Sequence, residues 1–130
     1  MIYGIGTDIS KVSRFEKWVK NEEFIKRFFN SQEIMENGSL NAKCEHYAAR
    51  FAAKEAFSKA LGTGITGFSL KDVFITNDEN GKPELNIQNH AKSVLENRFG
   101  ECKVLVSLSH EKEFAIAFVI IEGVWFFLNK

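Results

Sequence analysis

The sequence predicts an α+β fold in one domain, residues 1–130, with antiparallel β-hairpins packed on a long central helix. Three observations lead there. Residues 41–61 hold no Gly or Pro and are rich in alanine, the composition of one uninterrupted helix. Two pairs of strand-like segments follow, each pair joined by a short polar connection. No repeat, linker or regular β-α alternation is present, so a parallel sheet is not expected.

Taken in order, residues 1–9 form a strand with Tyr3, Ile5 and Ile9 on one face and Gly4, Gly6 and Asp8 on the other, a face left bare until the carboxylate. Ser10 then caps a helix in which Val12, Phe15 and Val19 fall at helical spacing while Lys11, Arg14, Lys17 and Lys20 stay mostly outside. A second helical stretch covers 22–29, and a short one capped by Ser31 stops near Asn37 and Gly38. Gly62 sits where the long helix should end. Strands over 70–76 and 84–87 flank Asn77 to Pro83, where Asn80-Gly81 is the strongest turn signal of the chain. A helix over 89–99 turns Ala91, Val94 and Leu95 inward and ends at Gly100. Strands 103–109 and 114–122 close a hairpin across His110-Glu111-Lys112-Glu113. The second is apolar on both faces, which suits a central strand or one lying against another subunit.

Seventeen Lys and Arg balance 17 Asp and Glu, so no net field marks a nucleic-acid or membrane-surface partner. Any charged ligand must be held by local clusters. Cys44 and Cys102 lack metal-ligand spacing and no cleavable leader is expected, which predicts reduced thiols in the cytoplasm. The stretch 114–128 is broken by Glu122 and Gly123 and falls short of the roughly 20 residues of a spanning helix. It reads as a buried strand followed by an aromatic tail.

Chemistry concentrates on the long helix. Ala49, Ala53, Ala56, Phe57, Ala60 and Leu61 fill one side, and Cys44, Ala48, Phe51 and Ala52 surround Glu55 on the other. A carboxylate so placed needs a cation, because an unpaired buried charge costs several kcal/mol. Lys59, four residues on, supplies one in the plainest reading. Asp8 adds a second acid beside the empty glycine face, which together with Glu55 suits a hard divalent ion sharing phosphate oxygens; otherwise Asp8 is a helix cap. Arg50, Lys54, Lys59 and His110 are candidate phosphate contacts, although Arg50 and Lys54 also fit a solvated helix edge and His110 a turn hydrogen-bonder. Gly4-Ile5-Gly6 is no dinucleotide fingerprint, and Gly62-Thr63-Gly64 with Gly67 is no P-loop. No GxSxG elbow or Cys/His cluster is present.

The segment Met1-Ile2-Tyr3-Gly4-Ile5-Gly6-Thr7-Asp8-Ile9, together with Arg50-Phe51-Ala52-Ala53-Lys54-Glu55-Ala56-Phe57-Ser58-Lys59-Ala60, resembles the two signatures of the bacterial holo-[acyl-carrier-protein] synthases. Asn80-Gly81-Lys82-Pro83 and Ser107-Leu108-Ser109-His110 are similar to further family segments in the expected order. The resemblance implies a 4'-phosphopantetheinyl transferase fold and transfer of the 4'-phosphopantetheine arm of coenzyme A to a serine of apo acyl carrier protein, for fatty acid biosynthesis. It implies Asp8 and Glu55 as Mg²⁺ ligands, and Lys59 with His110 on the phosphate whose charge changes. Arg50, Lys54 and the Gly81-Lys82-Pro83 loop would serve the adenosine and its 3'-phosphate. Glu55, Asp8 and Lys59 are then the catalytic set, with the serine proton going to Glu55, Asp8 or a water, a water oriented by Glu55 being preferred. Arg14 and Arg27 would dock the acidic carrier, helped by Lys11, Lys17 and Lys26, with Phe28 and Phe29 packed inside the protein or against the carrier. The resemblance further implies a homotrimer with active sites between subunits. Glu111 after His110 and the extension 123–130 depart from the family pattern.

Two rival readings are a coenzyme A-binding or carrier-binding module without catalysis and a Mg-dependent nucleotide hydrolase. Paired acids beside a polyanion argue against the first, since they repel the ligand without a metal. The second predicts cleavage of coenzyme A with no carrier present.

Overall fold

Ten residues of extended chain, Ile2–Lys11 (β1), open the structure, a computed structural model that describes residues 1–65 and 67–124. β1 outruns the sequence expectation because pairing with β5 (Phe114–Gly123) continues to Lys11, so Ser10 is a buried strand residue and caps nothing. A tight helical turn at Val12–Phe15 leads to α1 (Glu16–Val19) and α2 (Glu22–Phe28). Asn30, not Ser31, caps the next turn, Ser31–Glu33: its side chain accepts from the Gln32 amide while Glu33 accepts from the Asn30 amide. Ser39 caps α3 (Leu40–Leu61), and Gly62 ends it at φ 85°, the left-handed conformation expected of it.

β2 (Val73–Asn77) starts later than expected because Leu70–Asp72 coils into a tight turn capped by Ser69. Among the described residues it pairs only with β3 (Pro83–Ile87), while α4 (Asn89–Phe99) and β4 (Cys102–His110) match the sequence reading closely. The larger sheet is antiparallel in the order β1-β5-β4. These elements make an α+β domain with α3 laid across the sheet. Among the described residues no helix is long and apolar enough to cross a membrane. Most of the extension 123–130 lies outside the described residues.

The glycine face of β1 is not empty. A Cβ on Gly4 would sit inside the carbonyl of Ala60, and one on Gly6 inside that of Ala56. The glycines let the strand press directly on the helix backbone, and Ala115, Ala117, Val119 and Ile121 of β5 complete that buried layer. Tyr3 also leaves the face it was expected to share with Ile5 and Ile9: a register shift between Ile2 and Gly4 turns it into the core, stacked on Phe99 at 5.4 Å. The opposite face of the sheet stays open and apolar, with Ile5, Ile9, Leu105, Ile116 and Phe118 exposed.

Lys54 is fully buried. Its ammonium donates to Glu33 Oε1 at 2.7 Å, Leu70 O at 2.9 Å and Val73 O at 2.6 Å, which uses all three donors of a lysine. Glu33 in turn accepts from the Ile75 amide at 3.0 Å. Burial pulls the Lys54 ammonium below its ordinary pKa while the Glu33 carboxylate opposes the shift. The expected solvated edge is therefore an internal tie between α3, β2 and the Ser31–Glu33 turn, and Lys54 has no N–H left for a ligand phosphate. Lys54→Met should cost about 3–5 kcal/mol in urea denaturation, the penalty for stranding one half of a buried pair. A loss below about 1 kcal/mol with a selective defect in nucleotide binding would return Lys54 to the site.

Candidate active site

The close approach of β1 to α3 delivers Asp8 to the last turns of the helix. There Lys59 Nζ lies 3.0 Å from Asp8 Oδ1 and 3.1 Å from the Thr7 carbonyl. The expected i,i+4 partner of Lys59 was Glu55; the structure gives the lysine to Asp8 instead, because the glycines bring that carboxylate within reach. Lys59 remains more than half exposed and Asp8 mostly covered. Glu55 is half-buried one turn earlier. Burial pushes its carboxyl above the usual glutamate range, the Asp8 charge pushes the same way, and Lys59 and Arg14 pull it back. Two acids and two cations thus converge, one acid holding its proton more tightly than usual.

From Glu55 an apolar groove runs outward, lined by Trp18, Phe24, Phe28, Phe51 and Ile65 with Arg27 at its side. Arg14 lies over the Trp18 ring at 5.6 Å and Arg27 over Phe28 at 5.3 Å. Of the two phenylalanines expected inside the protein or against the carrier, Phe29 is buried against Tyr47 and Phe28 lines the groove.

A second cluster lies toward the other end of α3. His110, at the end of β4, shares a pocket with Glu45, His46, Arg50, Asn77 and Pro83. His110 Nδ1 lies 2.9 Å from Glu45 Oε1. Arg50 donates from one terminal nitrogen to the His46 carbonyl at 3.3 Å, and its buried Nε has no partner among the described residues. Burial and the Arg50 charge drop the His46 pKa to about 4, so this imidazole is neutral near pH 7. Gly81 takes φ 82° in a turn closed by Asp78, whose Oδ1 accepts from the Asn80 and Lys82 amides. Gly81 and Lys82 are exposed beside Pro83.

The predicted residues therefore divide. Asp8, Glu55, Lys59 and Arg14 come together, and so do Arg50, His110 and Pro83; Lys54 joins neither. Glu45 and Glu55 are ten residues apart, about 15 Å along the helix, so within one chain Lys59 and His110 do not share a phosphate. Among the described residues no group of three or more His, Cys, Asp or Glu side chains is arranged to hold a metal. Asp8 and Glu55 are the two carboxylates brought near each other. Glu45, Trp18 and Phe24 were missed: Glu45 meets His110 across 65 positions, a pairing no local spacing announces.

Residues 4–119 match the 4'-phosphopantetheinyl transferase superfamily. The holo-[acyl-carrier-protein] synthase of Treponema denticola is 45% identical over 124 residues, covering 95% of this chain and 100% of that protein. Among solved structures, the holo-(acyl-carrier-protein) synthase of Bacillus anthracis in complex with CoA (3',5'-ADP) is 39% identical with a TM-score of 0.75, covering 95% of this chain and 98% of that one. The Plasmodium yoelii acyl carrier protein synthase with ADP bound is 36% identical with a TM-score of 0.83, covering 95% and 96%. The fold, the acid-lysine cluster and these likenesses agree: the chain belongs to the 4'-phosphopantetheinyl transferase superfamily, within the family of holo-[acyl-carrier-protein] synthases.

Proposed function

We propose that the chain transfers the 4'-phosphopantetheine arm of coenzyme A to the serine of apo acyl carrier protein. The observation that carries this reading is the convergence of Asp8, Glu55 and Lys59 where β1 presses on α3, in a chain of this family. The serine oxygen attacks the phosphorus that bears pantetheine, the bond from that phosphorus to the bridging oxygen breaks, and 3',5'-ADP leaves. The serine proton passes to Glu55 directly or through a water it orients, a role served by its raised proton affinity. Lys59, half exposed and held by Asp8 and the Thr7 carbonyl, offers positive charge to the transferring group.

The donor set fits Mg²⁺. Asp8 and Glu55 repel each other, a strain that a shared cation relieves, and magnesium takes one or two carboxylates while keeping waters and phosphate oxygens. When bound it would neutralise charge on the reacting phosphate and leaving oxygens. Arg50, His110 and the Gly81-Lys82-Pro83 turn would hold the adenosine and its 3'-phosphate. The groove beside Glu55, with Arg14 and Arg27 on its rim, supports docking of an acidic carrier.

The two clusters stand apart on one helix, and the outer sheet face exposes Ile5, Ile9 and Phe118. Both features support a homotrimer whose active sites lie between subunits, one chain giving the acid cluster and its neighbour the His110 pocket. The reading places the protein in the cytoplasm, in lipid metabolism, with coenzyme A and acyl carrier protein as partners and no nucleic acid or membrane.

Incubating the protein with apo carrier, coenzyme A and Mg²⁺, with an EDTA control, should add the mass of one phosphopantetheine to the carrier only when metal is present. No gain, with coenzyme A still bound, would leave a binding module. Glu55→Gln should lower transfer by at least about 100-fold. The same variant should be more stable than the wild type near pH 7 when metal-free. The folded-state pKa of Glu55 is raised, so stability present below the ordinary glutamate pKa is lost as pH rises through the folded value, and the difference should vanish in acid. Unchanged transfer would remove Glu55 from the site. Arg27→Glu should raise KM for carrier about tenfold while moving KM for coenzyme A little; equal effects would place docking elsewhere. Diluting the protein until sedimentation shows monomer should abolish activity, and a fully active monomer would sink the intersubunit site.

A further inference from the structure

The contact between Glu45 and His110 lies outside the acid cluster and has no part in the chemistry described so far. Glu45 stands near the start of α3, and both of its carboxylate oxygens are occupied: Oε1 by His110 Nδ1 at 2.9 Å and Oε2 by the Asn41 amide at 2.7 Å. A carboxylate only accepts, so Nδ1 must carry the proton and the opposite nitrogen, Nε2, is left for a ligand. His110 is half exposed while Glu45 is mostly covered, so the fixed member of the pair is the acid. Its charge is turned onto two donors rather than into the pocket. The neighbouring His46 spends its Nε2 on the Glu33 carbonyl and is neutral, whereas Arg50 keeps a buried Nε without a partner among the described residues.

The geometry points to Glu45 as a positioning residue that holds His110 by Nδ1–H and aims Nε2, which donates when the ring is the imidazolium, at the oxygens of a phosphate monoester, and so sets the preference for a 3'-phosphorylated donor. The inference rests on the transferase reading and deepens it. Glu45 does not touch the donor; it acts through the imidazole, as an orienting acid does for a histidine elsewhere.

The test compares kcat/KM for coenzyme A and for 3'-dephospho-coenzyme A. Glu45→Ala should reduce the preference for coenzyme A about tenfold. His110→Ala should reduce it equally, and the double variant no further, because the two residues act as one unit. Nitrogen-15 NMR should show His110 protonated at Nδ1 in the wild type and redistributed between the ring nitrogens in Glu45→Ala. Equal losses on both donors, additive losses, or unchanged His110 signals would overturn the assignment. If the wild type itself modifies no carrier, the transferase reading fails separately. Calorimetric binding of the two donors to the same variants then decides the role of Glu45.

Discussion

The contact on which the rest of the structure depends is backbone against backbone, where Gly4 and Gly6 of β1 meet the Ala60 and Ala56 carbonyls of α3. Any side chain at either glycine would hold strand and helix apart, and Asp8, two residues further on, would move away with the strand. The ion pair with Lys59 and the Asp8 charge that adds to the burial-driven rise in the Glu55 pKa both require that approach. A packing rule, small residues where an element must come close, is here also the rule that assembles the charges.

The opposite side of the same helix is secured differently. Lys54 and Glu33 are both fully buried, and their mutual attraction roughly offsets the cost of removing both from water. What the pair adds is geometry: three donors and two acceptors must be satisfied together, which fixes α3 against β2 and the Ser31–Glu33 turn in one arrangement. Arg50, a turn away on the same helix, is thereby held beside Pro83 and His110. A fully buried lysine and a half-exposed one beside Asp8 thus lie five residues apart on one helix, and sequence alone could not sort them. Lys54 and Lys59 carry the same side chain in the same alanine-rich context.

Elements governed by local chemistry were legible. The limits of α3 follow from its alanines and Gly62, the limits of α4 from Gly100, and the last hairpin from its apolar strands. The approach of Asp8 to Glu55 was legible too, because a half-buried carboxylate on an apolar helix demands an explanation. What stayed hidden were contacts made across the sheet or across the chain. The glycine face looked empty because the sequence does not say which element covers it. The choice of Asp8 over Glu55 by Lys59, the burial of Lys54 under β2, and the meeting of Glu45 with His110 all depend on distant segments. Tyr3 misled for a smaller reason, a one-residue register shift at the start of β1 that periodicity cannot register.

α3 carries the acid cluster near its last turns and the His110 pocket near its first, and its 22 residues run without Gly or Pro between them. It therefore works as a ruler as well as a scaffold. Each residue of helix sets about 1.5 Å of separation and 100° of rotation, so the spacing and the relative facing of the two clusters are written in the residue count between Glu45 and Glu55. Side-chain substitution can retune either cluster by itself. Only an insertion or deletion in that interval can change the distance between them, and a single-residue change would swing one cluster around the helix axis, out of line with the other.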